Sequence, residues 1–70
     1  MMPLTMANAG EENIIKKVGG KEDTRRFLEN LGVVVGAAVT VISQVEGNII
    51  VNIKDSRVAI GKDMANKIMV

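Results

Sequence analysis

Apolar and polar residues alternate with a period of two over the second half of this chain. Val39, Val41, Ser43 and Val45 alternate with Thr40, Ile42 and Gln44, and Ile49, Val51 and Ile53 alternate with Ile50, Asn52 and Lys54. That period belongs to a strand, whose successive side chains point to opposite faces. Glu46-Gly47-Asn48 lies between the two runs, so they are expected to form a β-hairpin. Lys54-Asp55-Ser56 marks a second turn, and Arg57 to Ile60 a third strand. Gly61-Lys62-Asp63 opens a single helical turn that faces Met64, Ala65 and Ile68 inward, and Ile68-Met69-Val70 reads as a last short strand.

The first half changes period. Lys21 to Leu31 has Phe27, Leu28 and Leu31 at i, i+1 and i+4, one apolar stripe on a helix, with Arg25, Arg26, Glu29 and Asn30 on the other faces. Glu22 and Asp23 stand at the start, where acids complement the helix dipole, and Asp23 or Thr24 is the expected N-cap. Gly32 follows the last apolar residue and is expected in a left-handed conformation that ends the helix. Val33 to Gly36 reads as a short extended connection, with Gly32 and Gly36 as turn glycines. Upstream, Glu11 to Val18 reads as one strand around Ile14 and Ile15, closed by the turn Gly19-Gly20.

About five short strands with one real helix cannot build a parallel α/β sheet, which needs repeated crossover helices. A meander of short strands must protect its edges, and closing into a small barrel does so. The pattern therefore predicts a mainly β fold: a small, partly open barrel with one helix after the first long strand and a short C-terminal helical turn.

Composition narrows the function. The chain has 70 residues, room for one domain, 1–70. A domain of this size buries only about 60% of the surface its unfolded chain exposes. With no Cys and no His there is neither a disulfide nor a thiolate or imidazole ligand, so aliphatic packing must hold it. The same absence removes most acid–base pairs and triads, and Ser43 and Ser56 lack both a His and a nucleophile-elbow motif. Val18-Gly19-Gly20-Lys21 lacks the spacing of a phosphate loop. The carboxylates occur singly or in adjacent pairs, no set for ferrous iron, and Met64 and Met69 read as core. No catalytic, cofactor or metal residue is predicted. Met1 to Met6 lacks the basic and long apolar regions of a signal peptide, and Leu31 to Ile42 is too short to span a bilayer. A cytoplasmic location is expected.

The net charge is +1, but Lys16, Lys17, Lys21, Arg25 and Arg26 crowd into eleven residues. Nucleic-acid binding would want stacking aromatics, and Phe27, the sole aromatic, lies on the expected core stripe. The cluster is open to three readings: solvated surface, a docking patch for an acidic protein, or a non-specific phosphate contact.

From Arg26 to Gly36 the chain reads RFLENLGVVVG, which resembles a stretch of the FeoA family that commonly runs R-L-x-x-L-G-hydrophobic-x-P-G. Pro3-Leu4 with Ala9-Gly10 is similar to the family's opening, and Ile14 to Gly20 to its first strand and turn. Val39 to Ile42 with Ile49 to Val51 is similar to its hairpin, and Arg57 to Ile60 through Ala65, Ile68 and Val70 to its ending. The order and spacing of these pieces carry the resemblance more than any one of them. Two positions depart: Phe27, where many members have Arg, and Val35, where many have Pro before the second glycine. A partner contact made by an Arg at the Phe27 position in other members does not carry over to this chain.

The resemblance implies an SH3-like barrel and a small cytosolic accessory of bacterial ferrous-iron uptake. The implied partner is the cytosolic part of FeoB, a GTPase permease, which would be the only link to the membrane. The alternative is a stand-alone SH3-like interaction module related to the C-terminal domain of iron-dependent repressors. No nucleic-acid partner is expected, and a weak homo-oligomer is compatible with the sequence. The candidate contact residues are Lys16, Lys17, Lys21, Arg25 and Arg26, with Ile50 on the hairpin as a rival anchor.

Overall fold

The computed structural model describes residues 1–70. Helix α1 covers Glu22–Asn30. Lys21, extended at φ −71° and ψ 162°, precedes it with no side-chain cap, and Asp23 and Thr24 lie inside the first turn. The N-cap expected at Asp23 or Thr24 is therefore displaced upstream: Lys21 O already accepts from Arg25 N–H at 3.0 Å. Glu22 and Asp23 complement the dipole of that turn without capping it.

The far end follows the sequence reading. Gly32 has φ +95°, its N–H donates to Glu29 O at 2.9 Å, and Val33 N–H donates to Leu28 O at 2.9 Å. This nested pair is a Schellman motif, which satisfies carbonyls the helix leaves unpaired. Leu28 and Val33, the residues it brings together, are both fully buried. A Cβ on Gly32 would stand 3.1 Å from Ile53 Cγ2 and 3.2 Å from Lys54 Cδ, so space and φ both require glycine. Phe27 departs from expectation. It is 49% exposed, because the inward stripe runs through Leu28 with half-buried Thr24 and Leu31 and leaves Phe27 to one side.

Residues Val33 and Val34 lead into a turn rather than an extended link. Ala37 N–H donates to Val34 O at 3.0 Å, with Gly36 at φ +93° in the third position. That is the geometry of a type II turn, whose second position, here Val35, favours proline.

The first predicted strand is two strands. β1 (Glu12–Ile14) pairs with β3 (Ala38–Val45), whereas β2 (Lys17–Val18) pairs with β6 (Ile68–Met69). Ile15 is the pivot: its N–H donates to Ala37 O, its carbonyl accepts from Gly36 N–H, and its side chain is buried. One residue later, Lys16 N–H donates to Met69 O in the other sheet. Strand period alone cannot reveal such a break, since the chain stays extended on both sides of it.

β3, β4 (Asn48–Ile53) and β5 (Ser56–Gly61) form an antiparallel meander, giving a sheet ordered β1-β3-β4-β5. Val39, Val41, Ile49, Val51, Ile53 and Ile60 point into the core. The register shifts between Val41 and Ser43, which pair with Val51 and Ile50. This bulge reverses the alternation, so Val45, expected on the Val41 face, is 52% exposed. Both hairpin loops have two residues with positive φ: Glu46 (38°) with Gly47 (82°), and Lys54 (50°) with Asp55 (64°). Paired positive φ values define the type I′ turn, whose twist matches the strands it joins.

After β5 comes α2 (Lys62–Ala65), one helical turn that buries Ala65, as predicted, and leads into β6. β6 lies between two partners. On one side is β2; on the other, Met2 and Val70 exchange hydrogen bonds at 2.9 and 2.8 Å. A 3₁₀ turn at Leu4–Met6 follows, with Leu4 fully buried. This seam completes a small SH3-like β fold around a core of 14 buried apolar residues, with no buried polar residue.

Candidate functional site

The surface that could receive a partner is built where α1 meets the turn after it. The Schellman motif folds the chain back along the helix, so Val33, Val34 and Val35 run beside its Arg25–Glu29 flank. These five residues and Val18 of β2 line a groove of about 210 Å³. Val33 forms its buried floor, while Val34 and Val35 are 37% and 66% exposed. Four of the six lining residues are apolar, and the two charged ones carry opposite signs. Arg25 and Glu29 make no ion pair with each other or with anything else, since the sole salt bridge joins Arg26 to Glu22 at 2.6 Å. An apolar floor with free charges on one rim suits a protein segment better than a small polar solute.

The basic cluster is distributed over several surfaces. Arg25 alone reaches the valine groove. Arg26 is held by Glu22 one turn back on the helix, an exposed pair of little energetic weight. Lys17 lines a different cleft of about 280 Å³ together with Met1, Gly19, Asn66, Lys67 and Met69. Lys16 and Lys21 are exposed and line neither. Lys67, more than forty residues from the cluster in the chain, joins Lys17 through the β2–β6 pairing. Ile50 is half-buried on the outer face of β4, paired with Ser43 on one side and Ala59 on the other, so the candidate residues do not form one continuous contact.

Val34 and Val35 are not among the contact residues the sequence predicts. Their signal was there: three consecutive valines between glycines are apolar without the alternation that would bury them in a strand. No cluster of three or more carboxylates comes together to hold a metal ion.

Comparison with known proteins now carries the geometry further. The FeoA domain matches residues 2–70. A protein of Methanocaldococcus jannaschii, provisionally named Fe(2+) transport protein A, is 39% identical over all 70 residues, which cover 85% of its length. The crystal structure of an iron uptake regulatory protein (FeoA) superposes with a TM-score of 0.90 at 32% identity, covering 99% of this chain and 92% of that one. A manganese-dependent transcriptional repressor shares the fold alone, with a TM-score of 0.86 at 19% identity; 94% of this chain matches 38% of the repressor. An SH3-like barrel with this element order, matched over its whole length by a family domain and a curated relative, places the chain in the FeoA family.

Proposed function

We propose that this chain is a non-catalytic cytoplasmic accessory of ferrous-iron uptake that binds the cytosolic part of the FeoB permease. The observation that carries this reading is the family match from residue 2 to residue 70. The name of the M. jannaschii relative points the same way. No helix is long and apolar enough to cross a membrane, so the proposed link to the membrane runs through the permease. In this reading the valine groove beside Arg25 is the anchor, and Lys16, Lys17, Lys21, Arg25 and Arg26 steer the approach of an acidic surface.

Biolayer interferometry against the isolated cytosolic domain and against the full permease in detergent tests it. Rim charges act mainly on encounter, so Arg25→Glu with Arg26→Glu should slow association and lower its salt dependence. Ile50→Ala should bind normally; its failure would move the anchor to the hairpin face. The second reading is an interaction module related to the repressors' C-terminal domain, favoured only by the shared fold. Wild-type protein that binds neither form of the permease but binds a repressor-derived peptide would establish that reading instead.

A further inference from the structure

We propose that β5 is the self-association edge of this protein, pairing antiparallel with β5 of a second copy. β5 closes one side of the four-stranded sheet and has β4 as its sole strand partner. The phase of that ladder is fixed. The two-residue turn Lys54-Asp55 sets Ile53 opposite Ser56, and Lys62 N–H donates to Gly47 O at 3.0 Å on the same ladder. Hydrogen-bonded pairs recur at every second residue, so Ser56, Val58 and Ile60 bond to β4. Arg57 and Ala59 turn their N–H and C=O groups outward, and none of these four has a partner outside the ladder. Both residues are exposed.

A second copy supplies what this edge lacks, group for group. In the antiparallel register that sets Arg57 opposite Ala59 of the other copy, two donors and two acceptors on each chain are all satisfied. The two-fold axis passes through Val58, half-buried here, and brings it to its own copy in a non-hydrogen-bonded pair with Cα atoms about 4.5 Å apart. Each Arg57 side chain faces a methyl group rather than another cation. At either end the register sets Asp55 of one chain opposite Gly61 of the other, which presents no side chain. The strand also lacks the devices that protect an edge: it has no proline and no bulge, and a single charge. One strand pair is a small contact, so the dimer should be weak and concentration-dependent.

Sedimentation velocity over a concentration series, with amide hydrogen exchange on the same samples, tests the proposal. The sedimentation coefficient should rise with concentration, and the Arg57 and Ala59 amides should slow as it does. Val58 and Ile60 amides should be slow throughout. Ala59→Pro removes an outward N–H without touching the β4 ladder, and should stay monomeric; Ala59→Val, which keeps the N–H, should not. A wild type that stays monomeric to its solubility limit would overturn the proposal, as would association that leaves the Arg57 and Ala59 amides fast. The exchange measurement needs no variant, so a misfolded Ala59→Pro would leave the test intact. Protection of these amides only on adding the permease domain would show a partner's strand in place of a second copy.

Discussion

The meander β3–β4–β5 and the seam that joins β2, β6 and residues 2–3 hold the barrel together in different ways. In the meander each strand meets its neighbour in sequence across a two-residue turn. In the seam Met2 bonds Val70, Lys16 bonds Met69 and Gly19 bonds Lys67. The first is local and can form piecemeal; the second closes loops of about fifty residues or more, whose entropy must be overcome together. Damage at the seam should therefore open the whole barrel, whereas the meander's turns should respond one at a time.

Ile68→Ala breaks the comparison most severely. Ile68 is fully buried in β6, and its truncation should cost about 2–5 kcal/mol. In a domain this small that approaches the whole stability, so thermal unfolding should show little or no cooperative transition at 37 °C. Gly32→Val comes next. It combines a β-branched residue at φ +95° with contacts of 3.1 and 3.2 Å to Ile53 and Lys54. The loss should be at least ~1 kcal/mol, roughly 4–8 °C in melting temperature.

The remaining two variants sharpen the contrast by improving local turns. Lys54 and Asp55 occupy a type I′ turn with no glycine, unlike Glu46-Gly47 in the same geometry. Lys54→Asn with Asp55→Gly should raise stability by up to about 1 kcal/mol, read from the midpoint of urea unfolding. Val35→Pro should add about 0.4–1 kcal/mol by restricting the unfolded chain, because Val35 N–H makes no hydrogen bond and its turn position favours proline. Parallel urea titrations with unchanged slope would confirm both.

The same division explains what could be read from residues alone. The hairpins, the helix and its glycine stop were legible because period and turn chemistry act over a few residues. The break at Ile15 was not, because the reason for it lies at Ala37, just before β3, and at Met69 in the other sheet. The bulge before Ser43 reversed a pattern that looked continuous, and Val45 beyond it is exposed. The exposure of Phe27 depends on how much of α1 the barrel covers, a tertiary quantity. For the candidate site, the sequence showed a cluster of cations but not its dispersal over several surfaces, while the valine groove needed the turn at Gly36 to be seen.

Chemical-shift mapping tests the account's central claim most directly: titration of isotope-labelled protein with the unlabelled cytosolic part of the permease. The account predicts saturable shifts concentrated at Arg25, Glu29, Val34 and Val35, with Ile50 and Asn52 unmoved. Shifts confined to the outer face around Ile50, or none at concentrations where the domain is in excess, would contradict it.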